Sequence, residues 1–345
     1  MRASAHIDLG AIERNCSRLP HPLCAVVKAN AYGHGTVPVA EAALAGGAER
    51  FAVATADEAA ELRAAGIDAP LLVMGALTAQ ELQMAIEANA DVVAWSEEVA
   101  EAAPRIHVKL DTGMGRLGTR DRELALQLAA RPNTVGLMTH FATADDRESG
   151  LFTEQLEAFT AFVEEVNRPE LPAHAANSAA ALRDPASHFD MVRCGVALYG
   201  LDPFQDDPAA HELEPALSLR SWVASVRRVE AGEGVGYGRV WRAEEPTWVA
   251  TVPIGYGDGW RRGLTNDCDV LIRGRRHPLV GAVSMDNVAV ALGPDTDVEV
   301  GDEVVLIGGQ GGERILAEEV ARRLGTINYE VTTGLLPRIP REFSR

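Results

Sequence analysis

Residues 23–65 read LCAVVKANAYGHGTVPVAEAALAGGAERFAVATADEAAELRAA. The apolar run Leu23–Lys28 gives way to a Gly-containing loop and then to Val37–Ala45, a stretch of good helix formers; Arg50–Ala54 and Ala56–Ala65 repeat the pattern. Farther along, short apolar runs recur at Pro70–Gly75, Asp91–Trp95, Ile106–Leu110, Val135–His140, Ala173–Asn177 and Met191–Arg193. Helical stretches such as Ala79–Ala88, Arg122–Ala130 and Leu151–Val166 lie between them. Eight strand–helix units in about 200 residues predict an α/β fold, an N-terminal (β/α)8 TIM-type barrel. A doubly wound open sheet has the same periodicity and stays open as the alternative.

Beyond about Pro215 the character changes. Ser218–Val229, Trp248–Ile254, Val270–Val283, Val288–Leu292 and Val298–Ile307 are rich in Val, Thr and Trp and separated by Gly-containing turns, with one helix expected at Leu316–Leu324. The reading is a C-terminal mostly-β domain over residues 216–345, following a barrel over residues 1–215.

Composition excludes several function classes. A net charge of −18 over 345 residues argues against a nucleic-acid or anionic-membrane partner, since both need a basic face. The longest stretch without a charged residue, Pro132–Ala144, is too short to span a bilayer. The N-terminal residues carry no apolar signal core, and Cys16, Cys24, Cys194 and Cys268 show no paired spacing. A cytoplasmic protein with free thiols is expected, and the histidines show no metal-ligand spacing, so no metal is expected.

Of 32 basic residues only Lys28 and Lys109 are lysine. Where surface charge suffices, arginine serves; an amine that must lose its proton cannot be replaced by guanidinium. Lys28 leaves an apolar strand at what would be the catalytic face of a barrel, where desolvation lowers an amine's pKa and suits a Schiff-base lysine. A solvated lysine capping a strand is the bland alternative. The loops after the seventh and eighth runs, Asn177–Ala180 and Cys194–Val196, are built of small residues whose N–H groups can approach an anion. Together with Lys28 they suggest pyridoxal phosphate.

The chain contains, in order, AVVKANAYGHG (25–35), KLDTGMGRLG (109–118), THFATAD (139–145), ANSAA (176–180), MVRCG (191–195), VGYG (235–238), IGYGDG (254–259), SMD (284–286) and INYE (327–330). This ordered set resembles the alanine racemases, the fold-type III pyridoxal phosphate enzymes, over essentially the whole chain. The resemblance implies that Lys28 binds the cofactor and acts as one catalytic base, with Tyr237 of a partner subunit as the other. Arg193 matches the arginine on the pyridine nitrogen and His140 the histidine supporting it. Tyr32, Ser178, Gly195, Val196 and Tyr329 match the phosphate-binding group. Arg116 and the backbone of Met285 match the substrate-carboxylate contacts, and Tyr256 and Tyr329 the tyrosines near the substrate entrance. Three positions depart from the common pattern: Gly236 where Ser is frequent, Gly257 where Ala is common, and Ser284 where Cys is often seen. None removes a catalytic group.

What is implied is a homodimeric alanine racemase with shared active sites that supplies D-alanine for peptidoglycan. Racemisation needs a base on each face of Cα. An ordinary tyrosine ionises only near pH 10, to within about a unit, so a phenol base needs a neighbouring cation, which the resemblance assigns to Arg116. A guanidinium does not surrender its proton, so a pyridine nitrogen facing Arg193 stays unprotonated, which discourages transamination. The resemblance further implies that Lys109 is carbamylated and pairs with Arg116; a simple ion pair with Asp111 or a Glu is the alternative. A broad-specificity amino-acid racemase and a barrel pyridoxal phosphate decarboxylase are the nearest rivals, although the latter relies on a carboxylate where this chain has Arg193. A non-catalytic pyridoxal phosphate carrier lacks the β domain.

Overall fold

In the computed structural model, which describes residues 2–345, the first strand does not enter the barrel. β1 (Ser4–Asp8) pairs instead within a second sheet. The barrel strands are β2 (Leu23–Val26), β3 (Arg50–Val53), β4 (Leu71–Val73), β5 (Asp91–Ala94), β6 (Ile106–Lys109), β7 (Thr134–Met138), β8 (Ala173–His174) and β9 (Val192–Cys194). All eight apolar runs of the sequence therefore form strands. They pair in parallel in the order β8-β7-β6-β5-β4-β3-β2-β9.

Two observations decide for the barrel over the doubly wound sheet. The last strand returns beside the first, with Val192 opposite Leu23. Across the remaining gap, Arg193 N–H donates to the carbonyl of Ala176, just beyond β8, at 2.9 Å. Consecutive order with near-closure leaves no point at which strand order reverses.

The strands are buried because helices cover them: Phe51, Leu71, Leu72, Val92, Ile106, Val108 and Leu137 are core residues. The helices start where the sequence caps them. Thr55 and Glu58 form a capping box on Ala56–Ala64, Thr78 and Glu81 form another on Ala79–Glu87, and Asp121 caps Arg122–Ala129.

The remaining strands are β10 (Leu217–Trp222), β11 (Ser225–Val229), β12 (Gly234–Val235), β13 (Trp241–Arg242), β14 (Thr247–Val252), β15 (Asp269–Ile272), β16 (Arg275–Val280), β17 (Val288–Gly293), β18 (Glu303–Gln310), β19 (Glu313–Ile315) and β20 (Arg341–Ser344). They form a sheet ordered β11-β14-β17-β16-β15-β18-β10-β1-β20, with β19 on β18 and β12–β13 a separate hairpin. Helix Ala317–Leu324 lies near the C-terminus, as its sequence predicts.

The chain divides into two compact units: residues 12–204 with 211–214, and residues 1–11 with 205–210 and 215–345. The sequence assigned residues 1–11 to the barrel; the ladders of β1 with β10 and β20 place them with the β unit. Such long-range pairing leaves no local signal. No helix among the described residues is long and apolar enough to cross a membrane.

Candidate active site

The site grows from the end of β2. Beyond Lys28, residues Ala29, Asn30, Ala31 and Tyr32 all have φ between +50° and +54°. That is one turn of left-handed helix made without glycine, a conformation costing each residue about 1–2 kcal/mol. It persists because its polar groups are claimed. Ala29 N–H donates to Glu58 Oε1 at 2.6 Å, Gly33 N–H to Ala29 O at 3.0 Å, and Gly35 N–H to Asn30 O at 2.9 Å. The Asn30 Oδ1 accepts from Thr36 N–H at 3.1 Å. Strain held this firmly is typical of a functional site. The reversed turn buries Tyr32, whose ring stacks on Tyr199 at 4.9 Å, and Tyr199 in turn donates its hydroxyl to Val26 O at 2.8 Å.

Tyr32 meets the loop after β9. A Cβ on Gly195 would lie 2.5 Å from the Tyr32 hydroxyl, so only glycine leaves room there. Ser178 Oγ accepts from Gly195 N–H at 3.0 Å and Ala197 N–H at 3.3 Å. With both lone pairs engaged, its hydroxyl is left as a donor. Tyr32, Ser178, Gly195 and Val196 thus form a buried cradle of neutral donors and backbone. Burial pushes the Tyr32 phenol up, so it stays a donor.

Arg193 is 3% exposed. Its Nη1 donates to His174 Nδ1 at 2.7 Å and His174 O at 2.9 Å; its Nη2 donates to Thr139 O at 2.8 Å, Ala175 O at 3.1 Å and His140 Nδ1 at 3.3 Å. Every one of these partners is neutral. The bonds occupy both terminal nitrogens and leave Nε–H for a further acceptor. Burial lowers Arg193 to about 10, still a cation at neutral pH.

Around it lies a cluster of positive groups. Lys28 is lowered from the ordinary lysine value by burial and then by the Arg116 charge. Lys109 is buried and lowered to about 8, by burial first and then by Arg193 and Arg116. His140 falls well below the ordinary imidazole value through the shielding of its ring and the charges of Arg193, Lys109, Arg116 and Lys28. Asp111 offsets these cations at Lys109 only in part, and its own oxygens accept from Gly113 and Gly115 N–H and from Arg120 Nε at 3.0 Å. The barrel-borne candidates Lys28, Tyr32, Lys109, Arg116, His140, Ser178, Arg193, Gly195 and Val196 all follow strands at the C-terminal face or sit within them.

The other four candidates belong to the β unit. Tyr237 opens the turn after β12 and is 74% exposed. It borders a hollow of about 420 Å³ lined also by Val235, Gly236, Ala282, Ser284 and Asn287. Tyr256 and Met285 are exposed on two loops tied together: Tyr256 N–H donates to Ser284 O at 3.0 Å and Gly257 N–H to Met285 O at 2.9 Å. Tyr329 lies in the helix Asn328–Thr333 and is partly buried.

The profile described as "Alanine racemase, N-terminal domain" matches residues 7–203, and "Alanine racemase, C-terminal domain" matches residues 216–343. The chain belongs to the alanine racemase family. Alanine racemase 1 of Bacillus subtilis is 42% identical, over 98% of this chain and 92% of that protein. The solved alanine racemase of E. faecalis gives a TM-score of 0.93 at 40% identity, covering 99% of this chain and 98% of that one. That of Bacillus anthracis, solved with bound L-Ala-P, gives 0.91 at 40% identity, covering 100% and 95%.

Sequence reading passed over several residues that hold the candidate segments of each unit in shape. Glu58 serves the left-handed turn with Oε1 while Oε2 accepts from Ala54 N–H at 2.8 Å. Read alone, it is the acid of a helix capping box. Asp258 pins the Tyr256 loop, accepting from Gly255 N–H and from Arg2 at 3.0 Å, and Arg338 bridges to Asp286 at 2.7 Å. The Asp sits inside a quoted motif, but its arginine partners come from the two ends of the chain, and nothing local announces them.

Proposed function

We propose that this chain is an alanine racemase that interconverts L-alanine and D-alanine with pyridoxal 5'-phosphate as cofactor. The observation that carries the choice of chemistry is Arg193, a buried cation whose partners are all neutral and whose Nε–H remains for a neutral acceptor. A decarboxylase on this barrel would need a carboxylate at that position.

The residues present fit the cofactor. Lys28 is the amine to carry it, Tyr32, Ser178, Gly195 and Val196 form the cradle for its phosphate, and Arg193 offers a donor to its ring nitrogen. When bound, the cofactor withdraws electrons from the substrate Cα and so acidifies the Cα–H. Arg116 holds the substrate carboxylate. Lys28 Nζ, its hold on a proton weakened by burial and by the Arg116 charge, removes or returns the proton on one face of Cα. The hydroxyl of Tyr237 from the partner subunit does so on the other. Arg193, held by His140 and four carbonyl or imidazole acceptors, keeps the ring nitrogen unprotonated. Tyr256 and Tyr329 narrow the entrance, favouring alanine over larger amino acids.

A homodimer is supported by the β unit, which leaves Tyr237, Val240, Tyr256 and Met285 uncovered in the single chain. A cytoplasmic role in supplying D-alanine for peptidoglycan is supported by the four cysteines, all buried and free.

Purified protein with added cofactor, given L-alanine alone, is expected to reach an equal mixture of enantiomers in a chiral assay. Release of carbon dioxide without D-alanine would overturn the reading, and equal turnover of bulky L-amino acids would shift it to a broad-specificity racemase.

Lys109 is proposed to carry a carbamate. Its neutral amine attacks carbon dioxide: the N–C bond forms, a C=O electron pair moves onto oxygen, and the nitrogen releases a proton. The anion then pairs with Arg116 in a cluster where Arg193, Arg116 and Lys28 outnumber the one carboxylate, Asp111, that acts on this residue. Because the amine is lowered to about 8, its neutral fraction rises as pH climbs through that value. At constant dissolved ¹³C-labelled carbon dioxide, a carbamate ¹³C resonance is expected to be stronger at pH 9 than at pH 6, within about a unit of pH, and absent from Lys109→Ala. No labelled signal at the higher pH would sink the assignment.

A further inference from the structure

Behind Arg193 runs a chain of buried hydrogen bonds that no step above uses. Arg193 Nη1 meets His174 Nδ1 at 2.7 Å, His174 Nε2 meets His107 Nδ1 at 2.8 Å, and His107 Nε2 meets Asp91 Oδ2 at 3.3 Å. The chain crosses the barrel interior from β9 through β8 and β6 to the first residue of β5. His107 and His174 are fully buried.

The two charged ends together fix the direction of every bond. A guanidinium donates and never accepts, and a carboxylate accepts and never donates. His174 Nδ1 must therefore accept, so the ring is neutral with its proton on Nε2. That proton is donated to His107 Nδ1, which makes His107 neutral and Nε2-protonated as well, and its remaining N–H points at the Asp91 carboxylate. Burial pushes both imidazoles below their ordinary value, in agreement.

A second observation shows that the interior is shaped for this contact. β7 lies between β6 and β8, and the residue facing His107 across the ladder is Gly136. A Cβ at Gly136 would lie 2.3 Å from His107 Nδ1. Any other residue would push the ring away from His174. Gly136 has an ordinary backbone, so the missing side chain, and not a positive φ, is what the position requires.

We infer that Asp91 is the distal counter-charge of Arg193 and, from the far end, holds the relay in the direction that the guanidinium requires, making Asp91, His107, His174 and Gly136 positioning residues for the site. The far end is anchored: Asp91 accepts from Arg105 Nε at 2.5 Å and lies 3.6 Å from Arg50, beside a hollow that also admits Arg63 and Asp68. If Asp91 did not draw the His107 proton to Nε2, the proton could move to Nδ1. That would set donor against donor at His174, then at Arg193, and the guanidinium would lose its firmest hold. The carboxylate also polarises the two rings in series, strengthening the last acceptor in the chain.

The role in turnover rests on the alanine racemase reading above; the relay itself does not. Neutron diffraction from deuterated crystals of the holoenzyme is expected to place deuterium on Nε2 and not Nδ1 of both His107 and His174. In Asp91→Leu, the His107 deuterium is expected on Nδ1 or divided between the sites, with kcat about 10- to 100-fold lower and KM for alanine changed far less. Asp91→Asn, which keeps an acceptor without the charge, is expected to fall between, and it decides the matter if the leucine variant does not fold. Nδ1-protonated rings in the wild type, or wild-type tautomers and kcat in a folded Asp91→Leu, or in Asp91→Asn where the leucine variant does not fold, would overturn the inference. Wild-type crystals with the stated tautomers in a protein that racemises no alanine would instead uphold the relay and overturn the function.

Discussion

Lys28→Ala and Tyr237→Phe are each expected to lower kcat for racemisation by about 10²–10⁴-fold or more, in both directions, because loss of a positioned general base costs at least that much. Every turnover removes a proton from one face of Cα and returns one to the other, so neither base can be spared for either enantiomer. Lys28→Ala additionally loses the amine that carries the cofactor, and its cofactor absorbance should change, whereas Tyr237→Phe should bind cofactor normally. The pair also reports on assembly. Tyr237 is exposed within its own chain, and a shared-site dimer would place it over a partner's barrel. Mixing the two inactive variants under conditions of subunit exchange should then restore about a quarter of wild-type activity, since half of randomly formed twofold dimers are mixed and each holds one intact site. Mixed dimers with no activity would show that both bases come from one chain.

Arg193→Leu is expected to be the most damaging single change to stability in the barrel, at about 3–5 kcal/mol, read as a lowered denaturant midpoint with an unchanged slope. The guanidinium satisfies the carbonyls of Thr139, His174 and Ala175 together with two imidazole nitrogens, all from the segments around β7 and β8. Leucine removes these bonds: the His174 carbonyl keeps the Thr139 N–H at 3.3 Å, but the other acceptors lose the donor that the guanidinium gave them. Arg193→Lys should recover less than half of the loss: it keeps the charge but not the planar fork that reaches several acceptors at once. A leucine variant within about 1 kcal/mol of wild type would show that water replaces the guanidinium without cost.

The scarcity of lysine singled out two residues before any geometry was known. Lys28 and Lys109 survive in a chain that otherwise uses arginine, and both stand at the C-terminal ends of barrel strands with amines lowered by burial. The strands themselves were legible because parallel strands buried on both faces read as continuous apolar runs. β8, with two residues, is the shortest of them, and its run Ala173–Asn177 continues to the asparagine that caps the helix Ser178–Arg183. The left-handed turn at Ala29–Tyr32 was not legible. Alanine and asparagine do not ask for positive φ; Glu58, almost thirty residues later, makes the turn tolerable by claiming its first N–H.

Local sequence determined which segments become strands and helices, which face of the barrel carries the amines, and the family to which the chain belongs, because apolar period, caps and ordered motifs are properties of neighbouring residues. Tertiary structure alone decided that β1 joins β10 and β20, that Arg2 and Arg338 hold the Tyr256 loop, and that Asp91 answers Arg193 through two histidines. Each of these is a contact between residues far apart in the chain. A buried charge must find a partner wherever the fold brings one, and the sequence around the charge carries no record of where that is.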